Sequence, residues 1–203
     1  MNPAASRGVR SSPAKCTSCE RILQTPLFCD ACHTLCPADG RSHFEILGVE
    51  PTFALNVDDL RQRYLQLSRE VHPDRQRPDD LSLSLRSSAQ LNEAYRVLSD
   101  PLLRAEYLLE LCGGPSSQQD KAVPQNVLTE TLMLRDEIEE AREAGDAAAL
   151  ESVRARAQAT YDAVLARIVS MASQLPGDDA LRARLRVELN SIRYYQRALS
   201  QFE

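Results

Sequence analysis

The chain has 203 residues and a formal net charge of −5, a length that suits one or two small domains. Its apolar fraction of 43% is ordinary for a folded protein, and with no Trp the core must be built from Leu, Ala, Val and Ile. Charges of both signs are interspersed, which argues against a dominant nucleic-acid surface; no apolar run approaches a membrane span; and seven Gly among many Ala, Leu, Arg and Glu favour helices over sheets.

Residues 1–15 contain Arg, Lys and Ser but no acid. They are expected to form a flexible N-terminal arm. Its composition is that of a transit peptide, although it is short and has no clear amphipathic helix. Residues 16–40 form a four-cysteine module. Cys16 and Cys19, then Cys29 and Cys32, make two Cys-x2-Cys pairs nine residues apart. Each pair can form a tight turn offering two thiolates, and together they suit a tetrahedral Zn2+ site. A structural ion would stabilise a segment too short to bury its own core. A redox dithiol is the alternative, but it needs only one pair, preferably opening a helix; an iron–sulfur centre also suits four thiolates. His33 and Cys36 complete no second pair and are taken as bystanders. A metal module with free thiols fits a reducing interior, the mitochondrial matrix or the cytosol.

The next element is short, Ser42 to Val49, with Ser42 and Glu45 at capping-box spacing. Val57, Leu60, Tyr64, Leu67 and Val71 then recur at 3, 4, 3 and 4, the period of one helix face. Arg61, Arg63 and Arg69 lie off that stripe. His72-Pro73-Asp74 follows. Pro73 cannot sit in a helix interior and pushes His72 out of the α region, so the helix stops near Val71. His72 and Asp74 are thereby presented on a stiff turn, able to donate and accept hydrogen bonds. A second stripe, Leu81, Leu85, Ser88, Leu91, Tyr95 and Leu98, predicts a second helix. Two such helices joined by a short polar loop should pack antiparallel. The flanks offer neither nucleophile nor metal cluster to make the His–Asp pair catalytic.

These residues resemble a J-domain, with Ser42 to Val49 as its first helix. The resemblance implies that His72, Pro73, Asp74 and the basic face dock on a 70-kilodalton heat-shock chaperone and stimulate its ATP hydrolysis. Arg61, Tyr64 and Arg69 are the candidates for supporting contacts. The plainer alternative is a solvated helix face for the arginines and core packing for Tyr64.

Beyond that hairpin, Asp100 is available as an N-cap and Pro101 stands at the first helical position of a further helix. Gly113-Gly114 is a suitable end signal. The run from Ser99 to Leu109 closely resembles a segment of the HscB family, the J-type co-chaperones of iron–sulfur cluster assembly. Residues 41–114 are thus assigned to the J-domain and 115–125 to a linker. The resemblance extends over residues 42–203, and eukaryotic members of the family carry a similar four-cysteine extension.

Residues 126–203 predict a three-helix bundle: about Val127 to Ala144, Asp146 to Leu175, and Asp179 to Phe202, broken at Gly145 and Pro176-Gly177. The expected fold class is all-α: an antiparallel J-domain hairpin and a C-terminal three-helix bundle, with a small N-terminal zinc knuckle. In the first bundle helix Leu134, Ile138 and Ala141 follow one buried face, whereas Leu128 and Leu132 lie on a different stripe that continues to Arg135 and Asp136. Such a helix either packs on two neighbours or offers its second face to a partner. The family resemblance implies the latter, with the iron–sulfur scaffold protein contacting Leu128, Leu132, Arg135, Asp136, Glu140 and Tyr194. Thr129, Met133 and Tyr194 depart from the residues common in relatives.

The expected function is a co-chaperone without bond chemistry of its own, partnered by the chaperone and the scaffold, with neither nucleic acid nor membrane; weak self-association is left open. A general-folding J-protein, a zinc-containing nucleic-acid regulator and a thiol oxidoreductase are the rivals. The absence of a Gly/Phe-rich linker and the acidic bundle weigh against the first, and the balanced arginines against the second.

Overall fold

The computed structural model describes residues 14–202. Residues 1–13, most of the expected N-terminal arm, lie outside the described residues. Ala14 and Lys15 belong to the cysteine module: Leu23 N–H donates to the Ala14 carbonyl at 2.8 Å, and Lys15 pairs with Ile22 in an isolated antiparallel bridge. Among the described residues the fold is all-helical, with no strand longer than such bridges. The chain divides into two compact units between Arg104 and Ala105. That division falls inside a helix, ahead of the Gly113-Gly114 break that closes the J-domain assignment in the sequence.

The first unit holds the cysteine module and helices α1 (His43–Leu47), α2 (Val57–Glu70) and α3 (Leu81–Ser99). The Ser42 capping box forms as expected, with Ser42 Oγ accepting from Glu45 N–H and the Glu45 carboxylate accepting from Ser42 N–H at 2.8 Å. Asn56 caps α2 through the amides of Asp58 and Asp59. The hairpin of α2 and α3 is antiparallel, because contacts run in opposite order along the two helices. Tyr64 stacks on Tyr95 at 4.3 Å and donates to Asn92 Oδ1, while Val71 meets Ser84 and Ser88. Leu60, Leu67, Val71, Leu91 and Leu98 are buried between them, each contributing about 1.5–3 kcal/mol of transfer free energy.

One part of the expected stripe is corrected. Leu81 and Leu85 are exposed, the latter at 56%. The inward face of the first turns of α3 is Ser84 and Ser87, both fully buried. Ser84 occupies it because the α2 terminus lies against this face and its Val71 carbonyl takes the Ser84 hydroxyl as donor; the Ser87 hydroxyl has no hydrogen-bond partner among the described residues.

Helix α4 (Pro101–Leu111) starts as predicted, with Asp100 Oδ1 accepting from the amides of Leu102 and Leu103 at 2.8 Å. It ends at Gly113, φ +80°, where Gly114 N–H donates to the Leu109 carbonyl. The second unit is completed by α5 (Gln125–Glu143), α6 (Ala147–Ala172) and α7 (Asp179–Leu199), each in contact with the other two. Gly145, φ +65°, ends α5, and Asp146 caps α6 through Ala149 N–H at 2.9 Å. Leu134, Ile138 and Ala141 are buried as their spacing predicts, against a core that includes Ile168, Leu185, Leu189 and Ile192. A charged cluster ties α4 to α7: Glu106 pairs with Arg186 at 3.0 Å and with Arg193 at 2.5 Å, and Arg186 is 0% exposed.

Candidate functional site

The His72-Pro73-Asp74 corner forms a single 3-10 turn, Pro73–Arg75, with His72 as its N-cap. Proline sets φ and the chain leaves α2 at Val71, as the sequence requires. His72 Nδ1 accepts from Asp74 N–H at 3.2 Å and lies 3.7 Å from the Asp74 carboxylate. With Nδ1 accepting, the neutral ring carries its proton on Nε2, which remains available as a donor. Both side chains are open to a partner: His72 is 53% exposed and Asp74 88%.

What holds the corner was not evident in the tripeptide. The last carbonyls of α2 need donors from outside the helix, and four side chains supply them. Arg75 Nη1 donates to Arg69 O at 3.1 Å and Gln76 Nε2 to Glu70 O at 2.6 Å. Ser84 and Ser88, both from α3, donate to Val71 O at 2.6 and 3.3 Å. Arg75 also faces the Glu70 carboxylate at 3.7 Å. The sequence signal was a Ser pair four residues apart on an otherwise apolar stripe.

Of the supporting candidates, Arg61 and Arg69 are exposed on α2, with Arg69 one turn before His72. Tyr64 is half-buried and committed to α3 through its stacking and hydrogen bond. It pins the hairpin with its ring and hydroxyl.

The cysteine module brings the four predicted sulfurs together. The Sγ atoms of Cys16, Cys19, Cys29 and Cys32 all lie within 4.8 Å of one another. Cys16 and Cys32 are 3.5 Å apart, and Cys19 is 3.6 Å from both Cys29 and Cys32. Four thiolates at about 2.3 Å around one metal ion would stand about 3.8 Å apart, so the residues fit such an ion, whereas a disulfide would need about 2.05 Å. The two pairs are built as the same turn used twice. Glu20 N–H donates to Cys16 O and His33 N–H to Cys29 O, while Cys16 N–H donates to Arg21 O and Cys29 N–H to Thr34 O. Glu20 and His33, the residues after each second cysteine, both have left-handed backbones, φ +60° and +56°.

The thiols are shifted in opposite directions: the Arg21 amide lowers Cys19, but the Cys29 sulfur and burial outweigh it and raise that thiol to about 12. Amide donation from Cys19 and Ser18 lowers the Cys16 thiol, and Thr34, through hydroxyl and amide, brings Cys32 down to about 6. Cys36 is buried beside the cluster, with its thiol pushed up by burial, and its sulfur lies outside the four-sulfur group. His33 is exposed.

In the second unit, Leu128, Leu132, Arg135 and Tyr194 line one groove of 470 Å³ between α5 and α7. Leu132 is 57% exposed and Met133 beside it 59%. Asp136 and Glu140 continue the exposed side of α5. The structure thus brings four of the six expected scaffold contacts into one groove and sets the two acids along the same helix. Arg197 also lines the groove, with its guanidinium over the Tyr194 ring at 5.6 Å. It lies three residues after Tyr194, one helical turn on, and no motif in the sequence marks it.

The DnaJ domain family model matches residues 42–107. The Co-chaperone protein HscB homologs of two Vibrio vulnificus strains, YJ016 and CMCP6, are each 36% identical over 136 residues, covering 63% of this chain and 77% of theirs. The crystal structure of human co-chaperone protein HscB superimposes with a TM-score of 0.74 at 24% identity, covering 92% of this chain and 95% of that one. Chaperone HscB from Vibrio cholerae gives a TM-score of 0.66 at 26% identity, covering 79% and 94%.

Proposed function

Since this chain belongs to the HscB family of J-type co-chaperones, we propose that it serves iron–sulfur cluster biogenesis by bringing a cluster scaffold protein to a 70-kilodalton heat-shock chaperone and stimulating that chaperone's ATPase. The observation that carries the reading is the His72–Asp74 corner, exposed and held by four capping side chains. An exposed donor–acceptor pair on a hydrogen-bonded turn suits a trigger that docks on a partner, with its geometry set before contact. His72, Pro73, Asp74, Arg61 and Arg69 form the contact surface, and Tyr64 keeps α2 in place behind it.

The scaffold occupies the groove of Leu128, Leu132, Arg135 and Tyr194. The exposed leucines are the anchors and the acids of α5 set orientation. Holding both partners on one chain raises the effective concentration of scaffold at the chaperone. The chain itself performs no bond chemistry.

The metal held by Cys16, Cys19, Cys29 and Cys32 is zinc in this reading, a structural ion that folds the module. The compartment is the mitochondrial matrix, with the cytosol as alternative, because free thiolates need a reducing interior. Cell fractionation against matrix and cytosolic markers tests this.

The deciding experiment compares the wild-type chain with His72→Gln. The variant should bind scaffold normally and lose ATPase stimulation; full stimulation by it would overturn the reading.

A further inference from the structure

The cysteine module is fastened to the hairpin. Thr25 Oγ1 donates to the Ile46 carbonyl at 2.8 Å in a buried bond, and Arg63 Nε donates to the Leu47 carbonyl. Gly48 sits where these meet. Its φ is +63°, and a Cβ there would overlap the Arg63 guanidinium and come within 2.8 Å of the Gln24 carbonyl. Only glycine allows so close an approach. The module therefore has a defined place beside α2.

A groove of 350 Å³ lies between them. Phe28 of the module and Leu67 of α2, only 8% and 6% exposed, form a narrow apolar floor; Gln24 and Asp30 form one polar wall, and Arg63, Gln66, Arg69 and Glu70 the other. Asp30 is exposed between Cys29 and Cys32, and among the described residues it has no ionic partner; the Arg69 guanidinium has none either. The α2 end of this groove runs into the exposed corner. Arg69 is one turn before His72, and Glu70, which also lines the groove, faces Arg75 of the corner.

On the reading that α2 and the corner dock on the chaperone, we propose that the cysteine module is the second half of that docking surface. The groove takes a chaperone segment that lays an apolar side chain over Phe28 and Leu67, offers a carboxylate to Arg69 and a cationic or amide donor to Asp30. The argument is continuity and charge. A partner seated on Arg69 and His72 borders a wall that carries an unpaired charge of opposite sign. The metal, by folding residues 14–40, sets that wall.

The test uses the full chain and a purified 70-kilodalton chaperone with ATP. Asp30→Lys should raise the concentration for half-maximal ATPase stimulation about tenfold, the effect of reversing one close charge contact. Maximal stimulation, scaffold affinity and metal content should be unchanged. In the wild-type chain, amide hydrogen exchange at residues 24–30 should slow when the chaperone binds. An unchanged half-maximal concentration with protection confined to 57–76 overturns the proposal. Should Asp30→Lys lose its metal, the wild-type exchange footprint alone decides. Loss of stimulation in His72→Gln together with a silent Asp30→Lys would sink the module's role and leave the co-chaperone reading standing. Retained stimulation in His72→Gln would sink that reading itself.

Discussion

The hydroxyl of Ser84 donates to the carbonyl of Val71 at 2.6 Å, with both residues fully buried. This bond joins Val71, the residue that caps the end of α2, to the first turn of α3. It satisfies a carbonyl that no residue of α2 could reach, because His72 and Pro73 end the helix there. The exposed corner therefore stands on a buried hydrogen bond, with Ser88 as a second, longer donor.

Removing both donors tests that support. Ser84→Ala with Ser88→Ala leaves the Val71 carbonyl buried and unpaired, at a cost of about 2 kcal/mol. Denaturant melts should show that loss. ATPase stimulation should fall as well, although His72, Pro73 and Asp74 are intact. Stimulation at the wild-type level in a destabilised double variant would mean that the corner needs no such anchoring.

The groove of the second unit makes a separable prediction. Leu132 is mostly exposed, so Leu128→Ala with Leu132→Ala should change thermal stability little while weakening scaffold binding tenfold or more, the range for anchor residues. Arg197→Ala removes a cation–ring contact at its rim, a loss of about 0.5–1 kcal/mol, and should weaken binding several-fold. Isothermal titration with the scaffold distinguishes the two. Unaltered affinity in the leucine pair would remove the groove from the interface.

The Glu106 cluster predicts an acid-sensitive second unit. Burial alone would raise the Glu106 carboxyl, but Arg193 and Arg186 outweigh it and hold the group below its usual value. A depressed carboxyl contributes stability above its unfolded value near about 4.3, and that contribution is lost as pH falls through the folded value. Glu106→Gln should cost about 3 kcal/mol at neutral pH, because Arg186 is left buried without a counter-charge. It should also flatten the stability profile below about pH 4.5. A variant with the wild-type acid profile would show that another carboxylate governs it.

The metal module should be lost without loss of helix. Cys29→Ser removes a ligand, and the chain should then carry no tightly bound metal where the wild type carries one ion. No α-helix draws on residues 14–40, so far-UV circular dichroism should barely change while exchange of amides 14–40 accelerates. A metal assay with unchanged stoichiometry would show that Cys36 or His33 takes the fourth place.

Much of this architecture was legible because its signals are local. The Ser42–Glu45 box, the Asp100 cap before Pro101, and the Gly113 and Gly145 stops act over three or four residues, and each formed as spaced. The two cysteine pairs were equally plain, since metal ligation depends on residue type and spacing. Leu81 and Leu85 are exposed, although a count of apolar residues puts them on the inward face. Ser84 and Ser87 are inward instead, and a hydroxyl adds nothing to an apolar count. Arg197 was missed because an arginine on a helix is usually solvated; only the ring of Tyr194 beneath it marks it.

Propensity, capping and periodicity are properties of neighbouring residues, and they alone fix the helices, the break at Pro73, the paired cysteines and the apolar face of the bundle. The tertiary structure decided which carbonyls Ser84, Arg75 and Gln76 satisfy, which arginine covers Tyr194, and how Thr25 and Gly48 bring the cysteine module against α2. Those outcomes depend on groups far apart in the chain, whose meeting is set by the packing of whole elements.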